Sequence, residues 1–197
     1  MLNTICGFVR LFTGVQVRWQ GIQPQPVQRI YFANHTSHFD CLVLLSVLPH
    51  NIRKLVRPAG ATDYWTATPM RHWFSQEIMH VILIERLKLT KANNPITPLV
   101  KALDEGSSLI IFPEGGRSNS ELQKFKAGIY HLSKKRPNIE LVPTYIENAN
   151  RILPKGEFIP IPMLCSITFG EPIHLHPNEG REEFLERAEQ SIRRCAS

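Results

Sequence analysis

The first hydrophobic pattern along the chain has the spacing of a helix. Apolar residues recur at intervals of three or four positions, at Leu2, Ile5, Cys6, Val9 and Phe12. This spacing predicts an amphipathic helix that ends near Gly14. The helix has Arg10 but no acidic residue, which favours an apolar face lying in a bilayer interface. The alternative is a first helix that packs its apolar face on the rest of the domain.

Short apolar runs alternate with helical patterns along the rest of the chain. The patterns predict strands over residues 27–32, 52–56, 81–84, 109–112, 141–146 and 165–169. They predict helices over residues 40–48, 69–76, 95–106, 126–135 and from about 178 onward. This alternation predicts an α/β fold, a single layered domain with a largely parallel central sheet flanked by helices. We expect residues 1–19 to form an N-terminal amphipathic, membrane-associating segment and residues 20–197 to form the folded domain. Residues 150–162, with three prolines, predict a surface excursion.

Charge is distributed unevenly along the chain, which has a formal net charge of +6. Residues 1–62 contain six basic side chains and a single acidic one, Asp40. A basic N-terminal third indicates an anionic partner, which is nucleic acid, a phosphorylated substrate or acidic lipid. A solvated basic surface without a partner has the same composition, so charge alone does not choose between these alternatives.

Composition and cysteine spacing disfavour several classes of protein. A hydrophobic fraction of 43% is that of a globular chain and not of a disordered one. The four cysteines have no CxxC or other metal-ligand spacing, so we expect reduced, buried thiols in a cytosolic compartment. The longest apolar run, residues 41–48, is far shorter than the roughly 20 residues that span a bilayer. The N-terminus does not resemble a cleavable signal peptide.

A histidine and an aspartate flank the turn between the first buried strand and the first buried helix. His35 follows the strand, and Asp40 opens the helix five residues later. In open α/β sheets, ligands bind in the crevice beyond the strand ends. A carboxylate on one ring nitrogen would fix the tautomer, so the other nitrogen would be a base for an incoming hydroxyl.

Three other interpretations of this turn stay open at the level of the sequence. In the first, Asp40 is only a helix N-cap and His35 is a structural turn residue. In the second, His35, His38 and Asp40 bind a metal, although a fourth ligand is not evident. In the third, Ser37 is the nucleophile of a hydrolase, although the G-x-S-x-G elbow is missing.

A glycine-containing loop, residues 113–118, follows another buried strand. Gly115 and Gly116 allow the backbone to come close to a ligand, and Arg117 can bind a phosphate through two hydrogen bonds. The loop is not a nucleotide P-loop, because the Gly-Lys-Ser/Thr sequence is absent. Arg86 follows the strand at 81–84 in the same way. Two arginines and a histidine at strand ends predict a crevice that holds a phosphate beside a base.

Four segments in order resemble the sequence blocks of the 1-acylglycerol-3-phosphate acyltransferase family, the glycerolipid acyltransferases with an HxxxxD motif. Residues 34–40 resemble the block NHxSxxD, and residues 112–118 resemble FPEGTRS. Residues 82–86 resemble the second block, and residues 141–146 resemble the fourth, proline-containing block. Phe125-Lys126-Ala127-Gly128 also matches the segment that usually follows the third block. The resemblance covers roughly residues 28–171.

The chain departs from the family pattern at three places. Gly116 stands where the family commonly has threonine, and His80 stands where a glycine often opens the second block. Residues 57–63 replace the usual lysine-rich stretch. These departures leave the acceptor open, so a lysolipid other than lysophosphatidate, such as a lyso-ornithine lipid, is an alternative. A non-catalytic lipid-binding protein of the same fold is another.

The resemblance implies an O-acyltransferase of phospholipid biosynthesis. Such an enzyme moves a fatty acyl group from acyl-CoA or acyl carrier protein to the free hydroxyl of lysophosphatidate, giving phosphatidate. The residues implied are catalytic His35 and Asp40, and acceptor-binding Arg86, Glu114, Gly115, Gly116 and Arg117. We expect no metal and no cofactor beyond the acyl donor. The expected partners are a lysophospholipid, the donor and an anionic membrane surface, not nucleic acid, and the expected location is peripheral, on the cytoplasmic face of the cell membrane.

Overall fold

The helices and strands alternate along the chain in the computed structural model, which describes residues 1–86, 93–118, 121–149 and 164–196. Within these residues the strands are β1 (Gln16–Trp19), β2 (Arg29–Ala33), β3 (Val56–Ala61), β4 (Ile82–Ile84), β5 (Ser108–Ile111), β6 (Glu140–Glu147) and β7 (Ser166–Phe169). The helices are α1 (Leu2–Thr13), α2 (Asp40–Val47), α3 (His50–Arg53), α4 (Thr62–Trp65), α5 (Pro69–Trp73), α6 (Ile96–Asp104), α7 (Gly128–Lys135) and α8 (Arg181–Cys195). A π-helical segment (Phe74–Ile78) continues α5.

The described strands form one sheet in the order β1–β7–β6–β2–β5–β3–β4. The strands β6, β2, β5, β3 and β4 all run parallel to one another. β7 is antiparallel to β6, and β1 pairs in parallel with β7. This largely parallel sheet between helices confirms the predicted α/β class. Because β2, β5, β3 and β4 point the same way, the residues that follow them emerge at one edge of the sheet.

Each face of the sheet carries its own apolar core. Tyr31 of β2 packs into the core that includes α1 and α2. Its neighbours Ile30 and Phe32 face the opposite core, which includes α6, α7 and α8. Since helices cover both faces, every residue of β2 is buried, which explains why the strand is apolar from Ile30 to Ala33. The four cysteines are buried free thiols, as predicted.

Helix α1 packs one face on the domain and leaves the other exposed. Cys6, Val9 and Thr13 are buried, and α1 lies against α2. Phe8 and Leu11 on the other face are 66% and 85% exposed. Helix α1 therefore packs on the domain, as the alternative interpretation predicts, and it also has an exposed apolar face. The membrane association of residues 1–19 stays a prediction. Among the described helices, none is both long and apolar enough to cross a bilayer.

Strand β1 is an element that the hydrophobic pattern does not predict. Most of its residues are exposed, so it lacks the apolar alternation of a half-buried strand. It is held instead by backbone pairing with β7, where the Gln16 N–H donates to Cys165 O at 3.0 Å. The Trp19 ring also stacks on Phe169, with the ring centroids 4.1 Å apart. Both stabilising contacts are made by a segment about 150 residues away in sequence. The hydrophobic pattern around β1 therefore does not predict the strand.

The predicted strand over residues 52–56 is wrong. The structure has the short helix α3, in which the N–H groups of Ile52 and Arg53 donate to Pro49 O. A helix of one turn has too few residues to show helical periodicity. The buried, β-branched Ile52 is also typical of a strand, which explains the wrong prediction. The last helix begins at Arg181, three residues after the predicted start near Asn178. The predicted surface excursion, residues 150–162, lies outside the described residues.

Candidate active site

The residues that follow the parallel strands meet at one edge of the sheet. His35 follows β2, Glu114 follows β5 and Arg86 follows β4. Across the sheet their strands lie in the order β2, β5, β3, β4. The histidine loop and the glycine loop are therefore neighbours, while Arg86 starts from the outermost of these strands.

His35 and Asp40 form a hydrogen-bonded pair. The His35 Nδ1 atom lies 2.9 Å from Asp40 Oδ2. The same oxygen accepts the backbone N–H groups of Thr36 at 2.7 Å and Ser37 at 2.8 Å. The Asp40 carboxylate is fully buried, whereas the imidazole is 21% exposed. Because Nδ1 is engaged by the carboxylate, Nε2 is the ring nitrogen left to accept a proton from a hydroxyl.

This geometry bears on the three other interpretations of the turn. Asp40 is not a simple N-cap, because its carboxylate binds the loop before the helix and the N-cap position is Phe39. Ser37 is completely buried, so its hydroxyl is not presented as a nucleophile. In the part of the chain that the structure describes, no group of three His, Cys, Asp or Glu side chains is placed to hold a metal ion.

The loop of residues 112–118 is bound directly to His35. The His35 ring stacks on Phe112, with ring centroids 4.2 Å apart and an interplanar angle of 23°. The His35 carbonyl accepts the backbone N–H of Ser118 at 2.8 Å. His35 and the glycine loop are therefore directly in contact, although about 80 residues separate them in sequence.

Glu114 lies in the site but uses its carboxylate on the protein itself. Oε1 accepts the backbone N–H of His35 at 2.6 Å, and Oε2 accepts the N–H of Gln123 at 3.0 Å. The residue is only 3% exposed. Burial raises the pKa of the carboxyl, and the two N–H groups oppose that rise. Glu114 thus ties the glycine loop to the histidine loop, a role different from the acceptor contact that the resemblance implies.

We expect Glu114→Gln to lower both stability and turnover. An amide has one acceptor oxygen, so its NH₂ group would oppose one of the two N–H donors and leave a buried group unpaired. The free energy of unfolding should fall by about 1–3 kcal/mol, measured by urea denaturation. The turnover of a reaction that uses His35 as its base should also fall, by about 10-fold or more, because His35 loses a backbone anchor. An unchanged kcat would contradict this positioning role.

The two glycines of the loop have different surroundings. Gly115 has φ +71, and a Cβ there would lie 2.7 Å from the side chain of Lys126. A Cβ on Gly116 would meet no atom within 4 Å, so this position faces open space. The Lys126 backbone N–H also donates to Pro113 O at 2.9 Å. The Lys126 Nζ atom would likewise lie 2.7 Å from a Cβ on Gly115, so a further cation lies at the loop. The sequence match at residues 125–128 indicated this segment but not its contact with Gly115.

Arg117 lies close enough to a stack of side chains beside the histidine–aspartate turn to act on His38 electrostatically. The His38 ring stacks on Tyr64 at 4.5 Å between centroids, and the Arg71 guanidinium lies 4.7 Å from the Tyr64 centroid. Burial, together with the charges of Arg117, His35 and Arg71, lowers the pKa of His38 to about 4. His38 is therefore neutral at neutral pH, and the guanidinium groups of Arg117 and Arg71 are near enough to affect it.

Arg86 reaches the glycine loop but is held by an unpredicted partner, Asp63. The guanidinium makes two hydrogen bonds to the Asp63 carboxylate, and its Nη1 lies 3.5 Å from Gly115 O. Asp63 belongs to the segment that departs from the family pattern. His80 is a second departure from the family pattern, in which a glycine often stands at this position. Its backbone φ is +51, which lies in the region that favours glycine, so the conformation explains the family's glycine.

Comparison with known proteins places these features in a family. A family model described as Acyltransferase matches residues 15–147, which is more than half of the chain. The chain belongs to the acyltransferase family. The matched region of this acyltransferase-family chain includes His35, Asp40, Arg86 and the glycine loop.

Curated relatives resemble the chain over most of its length. The 1-acyl-sn-glycerol-3-phosphate acyltransferase of Limnanthes douglasii is 27% identical over 87% of this chain and 59% of that protein. The chloroplastic 1-acyl-sn-glycerol-3-phosphate acyltransferase LPAT1 of Arabidopsis thaliana is 24% identical over 75% of this chain and 40% of that protein. The chain thus spans less than two thirds of the length of these relatives.

A solved structure has the same fold. It is the 1-acyl-sn-glycerophosphate acyltransferase PlsC from Thermotoga maritima, with a TM-score of 0.76 and 20% sequence identity. The superposition covers 99% of this chain and 78% of PlsC. The layered sheet and the N-terminal helix therefore belong to an architecture that this acyltransferase-family chain shares with PlsC.

Proposed function

We propose that the protein transfers a fatty acyl group from acyl-CoA or acyl carrier protein to the free hydroxyl of 1-acyl-glycerol-3-phosphate, giving phosphatidate. The observation that carries the proposal is the His35–Asp40 pair, with Nδ1 and Oδ2 2.9 Å apart, bound to a loop that carries a cation. The relatives described above are 1-acyl-sn-glycerol-3-phosphate acyltransferases, which supports the same acceptor.

The proposed reaction needs one base and an activated donor. His35 Nε2 accepts the proton of the acceptor hydroxyl while the oxygen forms a bond to the thioester carbonyl carbon. The tetrahedral intermediate collapses, the carbon–sulfur bond breaks, and the thiolate leaves with the proton that His35 returns. The buried Asp40 carboxylate stabilises the imidazolium formed between the two steps. In this proposal no acyl-enzyme forms.

The acceptor phosphate is expected to bind across the glycine loop. Arg117 and Arg86 provide the positive charge, and Gly116 leaves open space for the head group. Gly115 contributes the turn that brings the backbone close to Lys126. Glu114 keeps the loop in place and does not itself contact the phosphate in this proposal.

Incubation of the purified protein with 1-acyl-glycerol-3-phosphate and acyl-CoA tests the function. The expected products are phosphatidate and free CoA in equal amounts, identified by lipid mass spectrometry and a thiol assay. Product only from another lysolipid, such as a lyso-ornithine lipid, would replace the proposed acceptor. Free fatty acid without any acceptor would indicate a hydrolase, and lipid binding without product would indicate a non-catalytic protein.

The exposed face of α1 is proposed to dock the enzyme on the cytoplasmic face of the cell membrane. Phe8 and Leu11 are exposed, and Arg10 between them has no acidic neighbour in the helix. Apolar side chains of this kind enter the acyl boundary while the cation meets anionic head groups. The docking would bring the site to a surface where a lysophospholipid resides.

Replacing both Phe8 and Leu11 with serine is expected to weaken binding to anionic vesicles by about 10-fold or more, because each apolar side chain contributes about 1.5–3 kcal/mol when fully buried. Co-sedimentation with phosphatidylglycerol-containing vesicles measures the change. The substitutions leave the buried face with Cys6 and Val9 intact, so the fold should persist. Val27→Ser, which changes an exposed apolar residue outside α1, is the matched control. Equal binding of both variants would contradict the docking surface.

A further inference from the structure

The contact between Asp63 and Arg86 has the geometry of a clamp. Arg86 Nε donates to Asp63 Oδ1 at 2.9 Å, and Nη2 donates to Oδ2 at 2.7 Å. Two parallel hydrogen bonds fix the plane of a guanidinium as well as its position. The hydrogen bond from Arg86 also lowers the pKa of Asp63, so the pair is ionised at neutral pH.

The sheet explains why Arg86 needs such a clamp. Ala61 of β3 and Ile84 of β4 are paired in register, and Asp63 and Arg86 each lie two residues beyond them. β4 is the edge strand, so Arg86 must reach across the end of β3 to approach the loop after β5. Its side chain is 42% exposed. A long, half-exposed side chain at a sheet edge would otherwise occupy many rotamers.

The clamp leaves one edge of the guanidinium unused by Asp63. The carboxylate engages the edge formed by Nε and Nη2. Nη1 lies 3.5 Å from Gly115 O, so the Nη1–Nη2 edge is the one turned toward the glycine loop. That edge has the spacing for two hydrogen bonds to a phosphate.

We infer that Asp63 is a positioning residue that holds Arg86 with its Nη1–Nη2 edge toward the phosphate of the acceptor. This inference rests on the proposed function for the identity of the acceptor. Asp63 does not touch the substrate; it acts through Arg86. Because exposed ion pairs stabilise a fold little, its contribution lies in the orientation of Arg86 and not in stability.

Asp63→Asn tests this inference through the binding of glycerol 3-phosphate, measured by isothermal titration. The dissociation constant should rise by about 5- to 30-fold, because Arg86 loses its fixed orientation. The KM for lysophosphatidate should rise to a similar extent, while kcat and the KM for the acyl donor should change little. The matched control is Asp104→Asn, which breaks a similar two-bond ion pair with Arg136 away from the site. Neither variant should change the urea midpoint measurably.

A second comparison asks whether Asp63 acts through Arg86. In an Arg86→Ala background, Asp63→Asn should have no further effect on glycerol 3-phosphate affinity. Tighter or unchanged glycerol 3-phosphate binding in Asp63→Asn would overturn the inference, as would an equal loss in Asp104→Asn or no binding to the unmodified protein. If the unmodified protein makes no phosphatidate but its affinity for glycerol 3-phosphate still depends on Asp63 and Arg86, the inference stands and the proposed reaction fails.

Discussion

Replacing His35 with alanine is expected to lower kcat for acyl transfer by about 10²–10⁴-fold, the share that a positioned general base contributes. In the proposed reaction the thioester is already activated, so removal of the hydroxyl proton is the step that the protein must assist. His35 has the geometry for this step, because Asp40 occupies Nδ1 and the ring remains partly open to solvent. The measurement is phosphatidate formation at saturating concentrations of both substrates.

The loss in His35→Ala should be confined to catalysis. The ring stacks on Phe112, and among the residues that the structure describes its hydrogen bond is to Asp40. The backbone contacts of His35 with Glu114 and Ser118 survive the substitution. Affinity for glycerol 3-phosphate should therefore stay within a few-fold of the unmodified protein. His131→Ala, which removes an exposed histidine of α7, is the matched control and should leave kcat unchanged. Retention of more than a tenth of kcat in His35→Ala would contradict the assignment of the base.

Asp40→Asn is expected to give the second-largest loss, also about 10²–10⁴-fold in kcat. Three donors converge on Oδ2, from the His35 ring and from the Thr36 and Ser37 backbone. An asparagine oxygen can keep these hydrogen bonds, but it has no charge to stabilise the imidazolium in a fully buried position. The rate of the proton transfer should therefore fall even where the loop is retained.

The stability of Asp40→Asn separates charge from geometry. Because the amide oxygen can accept the same N–H groups, the free energy of unfolding should fall by no more than about 1–2 kcal/mol, measured by urea denaturation at neutral pH. Asp40→Ala removes the acceptor as well, so the N–H groups of Thr36 and the buried Ser37 lose their partner. This variant should be less stable than Asp40→Asn. If Asp40→Asn keeps its turnover, the carboxylate only holds the loop and does not support the charge on His35.

Parts of the fold follow from short stretches of sequence. The apolar runs that become β2 and β5 are buried on both faces, and runs of that kind identify central parallel strands without knowledge of their neighbours. The helical stripe of α6 and the turn at Gly106, with φ +85, are equally local. Strand β1 could not be found in this way, since its pairing with β7 and the Trp19–Phe169 stack are supplied by distant residues.

In the candidate site, too, some features can be predicted from short stretches of sequence and others depend on distant residues. His35 and Asp40 lie five residues apart on one turn, so their spacing and their place between a strand and a helix already predict the pair. The resemblance implies that Glu114 binds the acceptor, which stays a prediction, and the sequence does not show that its carboxylate binds the backbone of His35. The glycine loop was recognised by its composition, whereas its contact with Lys126 was not.

The amino-acid sequence by itself determined the α/β class, the histidine–aspartate turn and the loop that carries Arg117, because each is encoded within a few consecutive residues. Only the tertiary structure decided that Asp63 clamps Arg86 and that Glu114 anchors His35. Those contacts depend on which strands are neighbours in the sheet. Strand order depends on the packing of the whole domain, so it cannot be predicted from a local sequence pattern.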